Sequence, residues 1–366
     1  MTFTCRFGHY DVPDMARARD LGKPARGGLA LAPEPVRRAV PGVVGANGAP
    51  RSRGEHPARV VSAKITLRRR LVELWGAREL LLFLVRKELK VKYRSSVLGF
   101  LWSMINPAIV LGVYYVVFKY FMRSAIPDFA LFLFSGLIIW NFFGAALQGS
   151  ASSVVGAAGI VKKVAFPREV LPLAQVGTAL FFFFLQSLVL VLFLAGFQFA
   201  PAWGYLPLVA FGLVDLVILT AGVGIFLAGL NVTLRDIEHL IAVLLQAWFW
   251  GVPVIYSYNT VYDLFARHHL QVFSDLYLLD PVTPIVLAFQ RALYGRVSYT
   301  TKVPTATDVH GLFKVVDVRT TSIVLATYPY HFFLEMLGAV LVGALVIFFL
   351  AMKFFGSVEG NFAEEL

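Results

Sequence analysis

Lys162, Lys163, Arg168 and Glu169 gather around the dipeptide Phe166-Pro167. A proline there ends one element and can open the next at its first turn, so the segment reads as a turn that carries charge. It either docks a partner or is simply a basic turn; its residues hold no nucleophile-and-base pair. The remaining reactive side chains are sparse. The seven histidines are scattered, with His268–His269 the only adjacent pair. The single cysteine, Cys5, leaves no intramolecular disulfide and no multi-cysteine metal site. The sequence has no H-E-x-x-H and no Walker lysine motif, so neither a metal nor a nucleotide is expected on this chain. Asp215, in FGLVDLVILTAG (211–222), is the one ionisable group set deep in an apolar run. It reads either as a group facing a cavity or as a carboxyl bonded to a nearby polar residue such as Gln186.

The elements that position these residues are apolar and long. Hydrophobic residues make up 58% of the chain and the mean hydropathy is +0.71, too apolar for a soluble domain. Crossing about 30 Å of hydrocarbon takes roughly 20 apolar residues as helix. Six runs qualify, at roughly 97–120, 130–150, 170–195, 205–230, 238–257 and 331–354. Within lipid each backbone N–H and C=O must be paired inside its own segment, so these runs are expected to be helices. They are continuous and do not alternate, which argues against a barrel. The expected fold class is therefore an all-α polytopic membrane protein with six spans.

Much of the net charge of +11 lies ahead of the first span, in Arg68–Arg70 and in RKELKVKYR (86–94). A basic patch can meet nucleic acid or anionic lipid; beside a membrane span the lipid and topology readings win. Lys162, Lys163, Arg168 and Arg235 mark two further connections as cytoplasmic, whereas GFQFAPAWGY (196–205) is uncharged. Lys119, Arg123 and Asp128 make the first connection mixed, which goes weakly against this pattern. Both termini then lie in the cytoplasm and the connection 258–330 lies outside. Residues 1–63 are rich in Arg, Pro, Ala and Gly without a helical period, and lack the apolar core of a signal peptide. They read as a disordered cytoplasmic tail, or as a start codon placed too early.

Residues 64–96 form an amphipathic, basic segment before the six-span region 97–366. In LRRRLVELWGARELLLFLVRKELK, Leu71, Leu74, Trp75 and Leu80 recur at helical spacing with arginines opposite. That is the pattern of a helix lying in the interface plane, or of a plain juxtamembrane anchor. Within 258–330, the stretch 261–295 is half-apolar and broken by prolines, and is expected to form a pair of short helices dipping into the outer leaflet. The stretch 298–324 is rich in Thr and Val and partly alternates, which predicts a small β-hairpin or an extended loop. Aromatic residues are dense on the spans, among them Trp140, Phe181–Phe184 and Trp248-Phe249-Trp250. Belt and packing roles are the default for them, although some of these faces could stack on sugar rings.

Several ordered motifs resemble one family. RKELKVKYRSSVLGFLWSMINP (86–107), with Leu98, Gly99, Leu101, Trp102 and Pro107, is similar to the start of the first span in ABC exporter permeases for polysaccharides and polyol-phosphate polymers. KKVAFPREVLPLAQV (162–176) resembles that family's Phe-Pro-Arg-Glu segment. LNVTLRDIEHLI (230–241) resembles its Asn-x-x-x-Arg-Asp segment through Asn231, Arg235 and Asp236. GVPVIYS (251–257), LLDPVTPIVLAFQRAL (278–293) and GSVEGNFAEEL (356–366) follow in order. The resemblance covers about 64–366 and is close to O-antigen, teichoic-acid and galactan exporter permeases.

The resemblance implies a half-transporter without a catalytic site, in the bacterial inner membrane. It implies a homodimer with two ATPase subunits, which bind the ATP and Mg, and a lipid-linked glycopolymer as cargo. A coupling helix would fall within 151–163, and the coupling residues would be Lys162, Lys163, Phe166, Pro167, Arg168, Glu169, Arg235 and Asp236. Residues meeting substrate or lipid would be Trp75, Arg86, Lys87, Tyr93, Arg94 and Trp102, with an interfacial helix at 67–83. External re-entrant gate helices would lie in 261–295. The tail has no family counterpart, and 298–324 is longer than the family pattern. Drug or small-lipid exporter permeases are the near alternative. A membrane-embedded glycosyltransferase would need convergent carboxylates that the sequence lacks, and a secondary carrier would need internal repeats and charge pairs within the spans.

Overall fold

The computed structural model describes residues 67–94, 101–121, 126–267, 276–295, 297–309, 312–325 and 327–366. These belong to one unit, Val60–Leu366. The expected tail 1–63, Cys5, Leu98, Gly99, Arg123 and His268–His269 lie outside the described residues.

In chain order the helices are α1 (Leu67–Gly76), α2 (Arg78–Lys92), α3 (Trp102–Val116), α4 (Phe129–Gly156), α5 (Ala158–Val161), α6 (Val170–Gly196), α7 (Leu206–Thr233), α8 (Ile237–Gly251), α9 (Tyr258–Arg267) and α10 (Val282–Leu293). Strands β1 (Ser298–Val309) and β2 (Leu312–Ile323) follow, then α11 (Tyr330–Val358) and the terminal turn α12 (Phe362–Glu365).

Among the described residues, four helices are long and apolar enough to cross a membrane: Phe129–Gly156, Val170–Gly196, Trp203–Thr233 and Tyr330–Asn361. The expected first and fifth spans form shorter apolar helices, Met104–Val116 and Ile237–Gly251. The latter stops because Val252 precedes Pro253: the proline ring disfavours helical geometry at the residue before it, and Val252 is extended. At 1.5 Å per residue this helix is about 22 Å long, less than the hydrocarbon thickness.

α4 is apolar all round and lies at the centre, with Phe132, Ile138, Ile139 and Phe143 buried. α6 and α7 pack on it, and α11 packs on α7. At Gly222 of α7 a Cβ would stand 2.9 Å from the Phe348 backbone, so only glycine permits this approach of α7 to α11. α10 is buried between α7 and α4 rather than lying at the edge of the bundle. β1 and β2 pair antiparallel, from Ser298 opposite Ile323 to Val309 opposite Leu312. The fold is thus helical with one hairpin among the described residues. The C-terminal ends of α4, α7 and α11 and the N-terminal end of α6 share one end of the bundle, where α1 packs on α11 and α2 on α6.

Candidate functional site

That end is organised around Arg70. Its guanidinium donates to Glu169 Oε1 at 2.5 Å and to Glu359 Oε2 at 3.2 Å. Arg70 is 8% exposed and Glu169 3%. A Cβ on Gly356 would overlap this guanidinium, so the arginine lies directly against the α11 backbone. Arg168 donates to the Glu359 carbonyl at 2.6 Å and lies 5.6 Å from the Phe362 ring centroid. Two arginines and two carboxylates therefore tie α1, the start of α6 and the end of α11 into one knot. Burying such charges is tolerable only with this degree of pairing.

The expected coupling residues divide accordingly. Lys162 and Lys163 are exposed, just after α5. Phe166 is half-buried and packs against the small core formed with Val161, Leu171 and Phe355, and Pro167 is half-buried beside it. Arg168 and Glu169 turn into the protein, where the Glu359 carbonyl and Arg70 hold them. Arg235 is exposed and donates to the Glu365 carbonyl at 3.2 Å, and Asp236 is exposed ahead of α8. Asn231 fixes this second connection: its amide donates to the Ala151 carbonyl at 2.9 Å, and its Oδ1 accepts from the Glu238 N–H at 3.2 Å. The turn between α7 and α8 is thereby pinned to the end of α4, next to α5. Arg70 and Glu359 were not legible as site residues, because the spacing in Arg68–Arg70 does not reveal which arginine faces inward.

The expected interface residues lie on α1, α2 and the start of α3. Trp75 is 72% exposed, with the Arg78 guanidinium 5.8 Å from its ring centroid. Val72, Leu82 and Phe83 are exposed on the same two helices, so an apolar surface accompanies the tryptophan. Arg86, Arg94 and Trp102 are exposed, and Lys87 lies 3.6 Å from Glu88. The Tyr93 ring packs 6.3 Å from Phe182 of α6, and Lys92 Nζ sits 3.9 Å over that same ring. Behind α2 an open cavity of about 810 Å³ reaches α4 and α6, lined in part by Lys87, Glu88, Ser152, Ser153 and Gln175.

A second open groove, of about 780 Å³, runs between α4 and α8 past Trp140, Asn141, Gln148, Gln246 and Phe249. Aromatic faces beside amide side chains can stack on a sugar ring and bond its hydroxyls. Trp248 also packs on Trp140 and Phe143, and its indole N–H donates to Asp280 Oδ1 at 3.1 Å. Asp280 in turn accepts from the Thr283 N–H and hydroxyl at 3.1 and 2.7 Å, which caps the first turn of α10.

Asp215 is fully buried in α7, and neither carboxyl oxygen has a hydrogen-bond partner among the described residues. Gln186, the neighbour that the sequence suggests for it, accepts from Asn141 at 3.0 Å instead. Among the described residues no group of three or more His, Cys, Asp or Glu could hold a metal ion.

Residues 79–294 match the profile of a family described as ABC-2 type transporter. The O-antigen export system permease protein RfbA of Myxococcus xanthus is 39% identical over 225 residues, 61% of this chain and 83% of that protein. An O-antigen export system permease protein RfbA of Klebsiella pneumoniae is 36% identical over 192 residues, 51% of this chain and 73% of that protein. The polysialic acid transport protein KpsM of Escherichia coli is 23% identical over 179 residues, 48% of this chain and 69% of that protein.

Proposed function

The chain belongs to the ABC-2 type transporter family, and from that premise we propose that it is the transmembrane half of an ATP-driven exporter, moving a lipid-linked glycopolymer from the cytoplasm to the outside. Two copies pair, each with six membrane crossings, and each docks one ATPase subunit that binds ATP and Mg. The chain is then a multi-pass protein of the bacterial inner membrane with both termini in the cytoplasm, and has no catalytic site of its own.

The observation that carries this reading is the Arg70 knot. It holds the α5–α6 connection rigidly against α1 and α11, while Lys162 and Lys163 on that connection remain exposed. A rigid connection with outward cations can transmit a push from a docked partner. The same knot joins that connection to α1, whose Trp75 suits the lipid interface. A lipid-linked headgroup meeting α1 and α2 is thus mechanically linked to the docking segment. Sugar units would pass along the aromatic and amide groove of α4 and α8. α9 and α10 serve as the external gate, with Trp248–Asp280 as its contact to α8.

Replacing Lys162 and Lys163 with glutamate tests the docking face. In the complex reconstituted with its cognate ATPase, polymer-stimulated ATP hydrolysis is expected to fall about tenfold while the protein still inserts, the size of effect that like-charge contacts at an interface produce. Normal coupling in that variant would move the docking site elsewhere. Stimulation by a short-chain lipid but not by glycopolymer would replace the proposed cargo.

A further inference from the structure

The β1–β2 hairpin takes part in none of the arrangements above. Among the described residues its sheet has two strands, so each strand has an outer edge. The phase of the ladder is fixed at its base, where the Val324 N–H donates to the Val297 carbonyl at 2.7 Å. Bonded pairs alternate with non-bonded ones in an antiparallel ladder, so Val303–Val318 is a bonded pair and Pro304–Asp317 a non-bonded one. In that pair the proline nitrogen lies on the outer edge of β1. Pro304 therefore costs the hairpin no bond but removes a donor from that edge, which blunts it. β2 has no proline. Its outer edge offers the N–H and C=O groups of Phe313, Val315, Asp317, Arg319, Thr321 and Ile323.

We propose that β2 pairs antiparallel with β2 of a second copy, about a two-fold axis at Val318, so that two hairpins make one four-stranded sheet. This rests on the homodimer reading above. A two-fold interface must be self-complementary, and the order of residues along β2 is. With the axis at Val318, Asp317 stands opposite Arg319 of the second copy, and the reverse pair follows by symmetry. Phe313 stands opposite Ile323, Val315 opposite Thr321, and Val318 opposite itself. Every residue that pairs in the bonded positions has its N–H and C=O on the outer edge, as a ladder requires. Other registers lose this match. An axis at Asp317 or at Arg319 sets like charges against each other, and one at Val316 or Thr320 sets Asp317 against Val315 or Ile323. An axis between two residues mates outer-edge groups with groups already used inside the hairpin. An isolated two-stranded hairpin is marginal in water, and four strands meet the minimum of three that an independently stable sheet needs.

The register makes a sharp test. Cys5→Ser leaves a chain without cysteine. In that background, Val318→Cys in the full-length protein, purified with its ATPase partner, is expected to form a disulfide-linked dimer under mild oxidation. Self-paired residues in a non-bonded position have Cα atoms about 4.5 Å apart, within disulfide reach. Val316→Cys alone should cross-link at least about tenfold more slowly, because the two copies of residue 316 lie about 13 Å apart along the strand, beyond that reach. Co-expressed Val316→Cys and Thr320→Cys should link to each other. Asp317→Arg should slow the Val318→Cys linkage, and adding Arg319→Asp should restore it. Linkage at residue 316 as fast as at 318 overturns the register. Native mass spectrometry of the same samples separates the two levels: a dimer that never links at 318 removes the sheet and leaves the homodimer, whereas a monomer removes both.

Discussion

At Asp215 a carboxyl group occupies the middle of α7 with no exposed surface and, among the described residues, no hydrogen bond to either oxygen. Such a group costs stability and returns none through hydrogen bonds. Replacing it with leucine leaves no partner orphaned, so Asp215→Leu is expected to insert normally and to be more stable, by about 1–3 kcal/mol. A carboxyl that stability does not need, set deep in a span, is a candidate for a role in transport, and on that reading export by Asp215→Leu and Asp215→Asn is expected to fall several-fold at normal protein level. Thermal unfolding of the purified complex and complementation of an export-null strain check the two halves. A leucine variant less stable than the parent would mean that Asp215 has a partner after all, and full export by both variants would remove it from the functional residues. The position was legible in the sequence, since a lone charge in FGLVDLVILTAG is conspicuous. Its surroundings were not. Gln186 is near enough in depth to suggest a bond, but which residue it faces depends on how α4 and α6 pack, and it is Asn141 that it meets.

Between elements, the Arg70 knot is the strongest mechanical statement that the fold makes. α1 is amphipathic and short, and alone would be marginal as a helix. One buried arginine joins it to the start of α6 and to the end of α11. Arg70→Met leaves the buried Glu169 and the half-buried Glu359 with one cation fewer between them, and breaking the buried Arg70–Glu169 pair in this way costs about 3–5 kcal/mol. The variant is therefore expected to unfold at a clearly lower temperature and to expose α1 to proteolysis. Replacing Arg70 and Glu169 together with apolar residues should recover much of the loss, because neither charge is then left alone. An Arg70→Met protein as stable as the parent would show that the knot contributes nothing. The helices here were readable from apolar runs and from the 3.6-residue period, and the Phe-Pro-Arg-Glu turn from its proline. The inward turn of Arg168 and Glu169 was not readable, because charge at a helix start suggests an outward face until a partner from another element is in place. The second connection behaves alike: Asn231 stood out only as part of a motif, and its role became physical when its amide met the Ala151 carbonyl.

For the whole molecule, composition and continuous apolar runs were enough to establish a polytopic membrane protein, and the ordered motifs were enough to point to its family. The exact length of α8 was beyond reach, since it depends on the conformation that Pro253 imposes on Val252. The segment ahead of residue 64 poses the remaining question at this scale. It contributes none of the apolar runs, and the family match begins at residue 79. Its arginines could nevertheless bias orientation, because cations within about 15–20 residues of a span hold that side in the cytoplasm. The cations nearest the first span are Arg86, Lys87, Lys90, Lys92 and Arg94, all downstream of the tail. They suffice for that rule, and Arg68–Arg70 add to them. Deleting residues 2–60 is accordingly expected to leave membrane insertion, orientation and export within about twofold of the full chain, as judged by complementation of an export-null strain and by protease accessibility of a C-terminal tag. Were the truncated protein to reach the membrane at normal level and still fail to export, the tail would have to act on the ATPase or the cargo. Were the tag to appear on the outside, the tail's own arginines would be setting the topology, and the cations of α1 and α2 would be too few to do so alone.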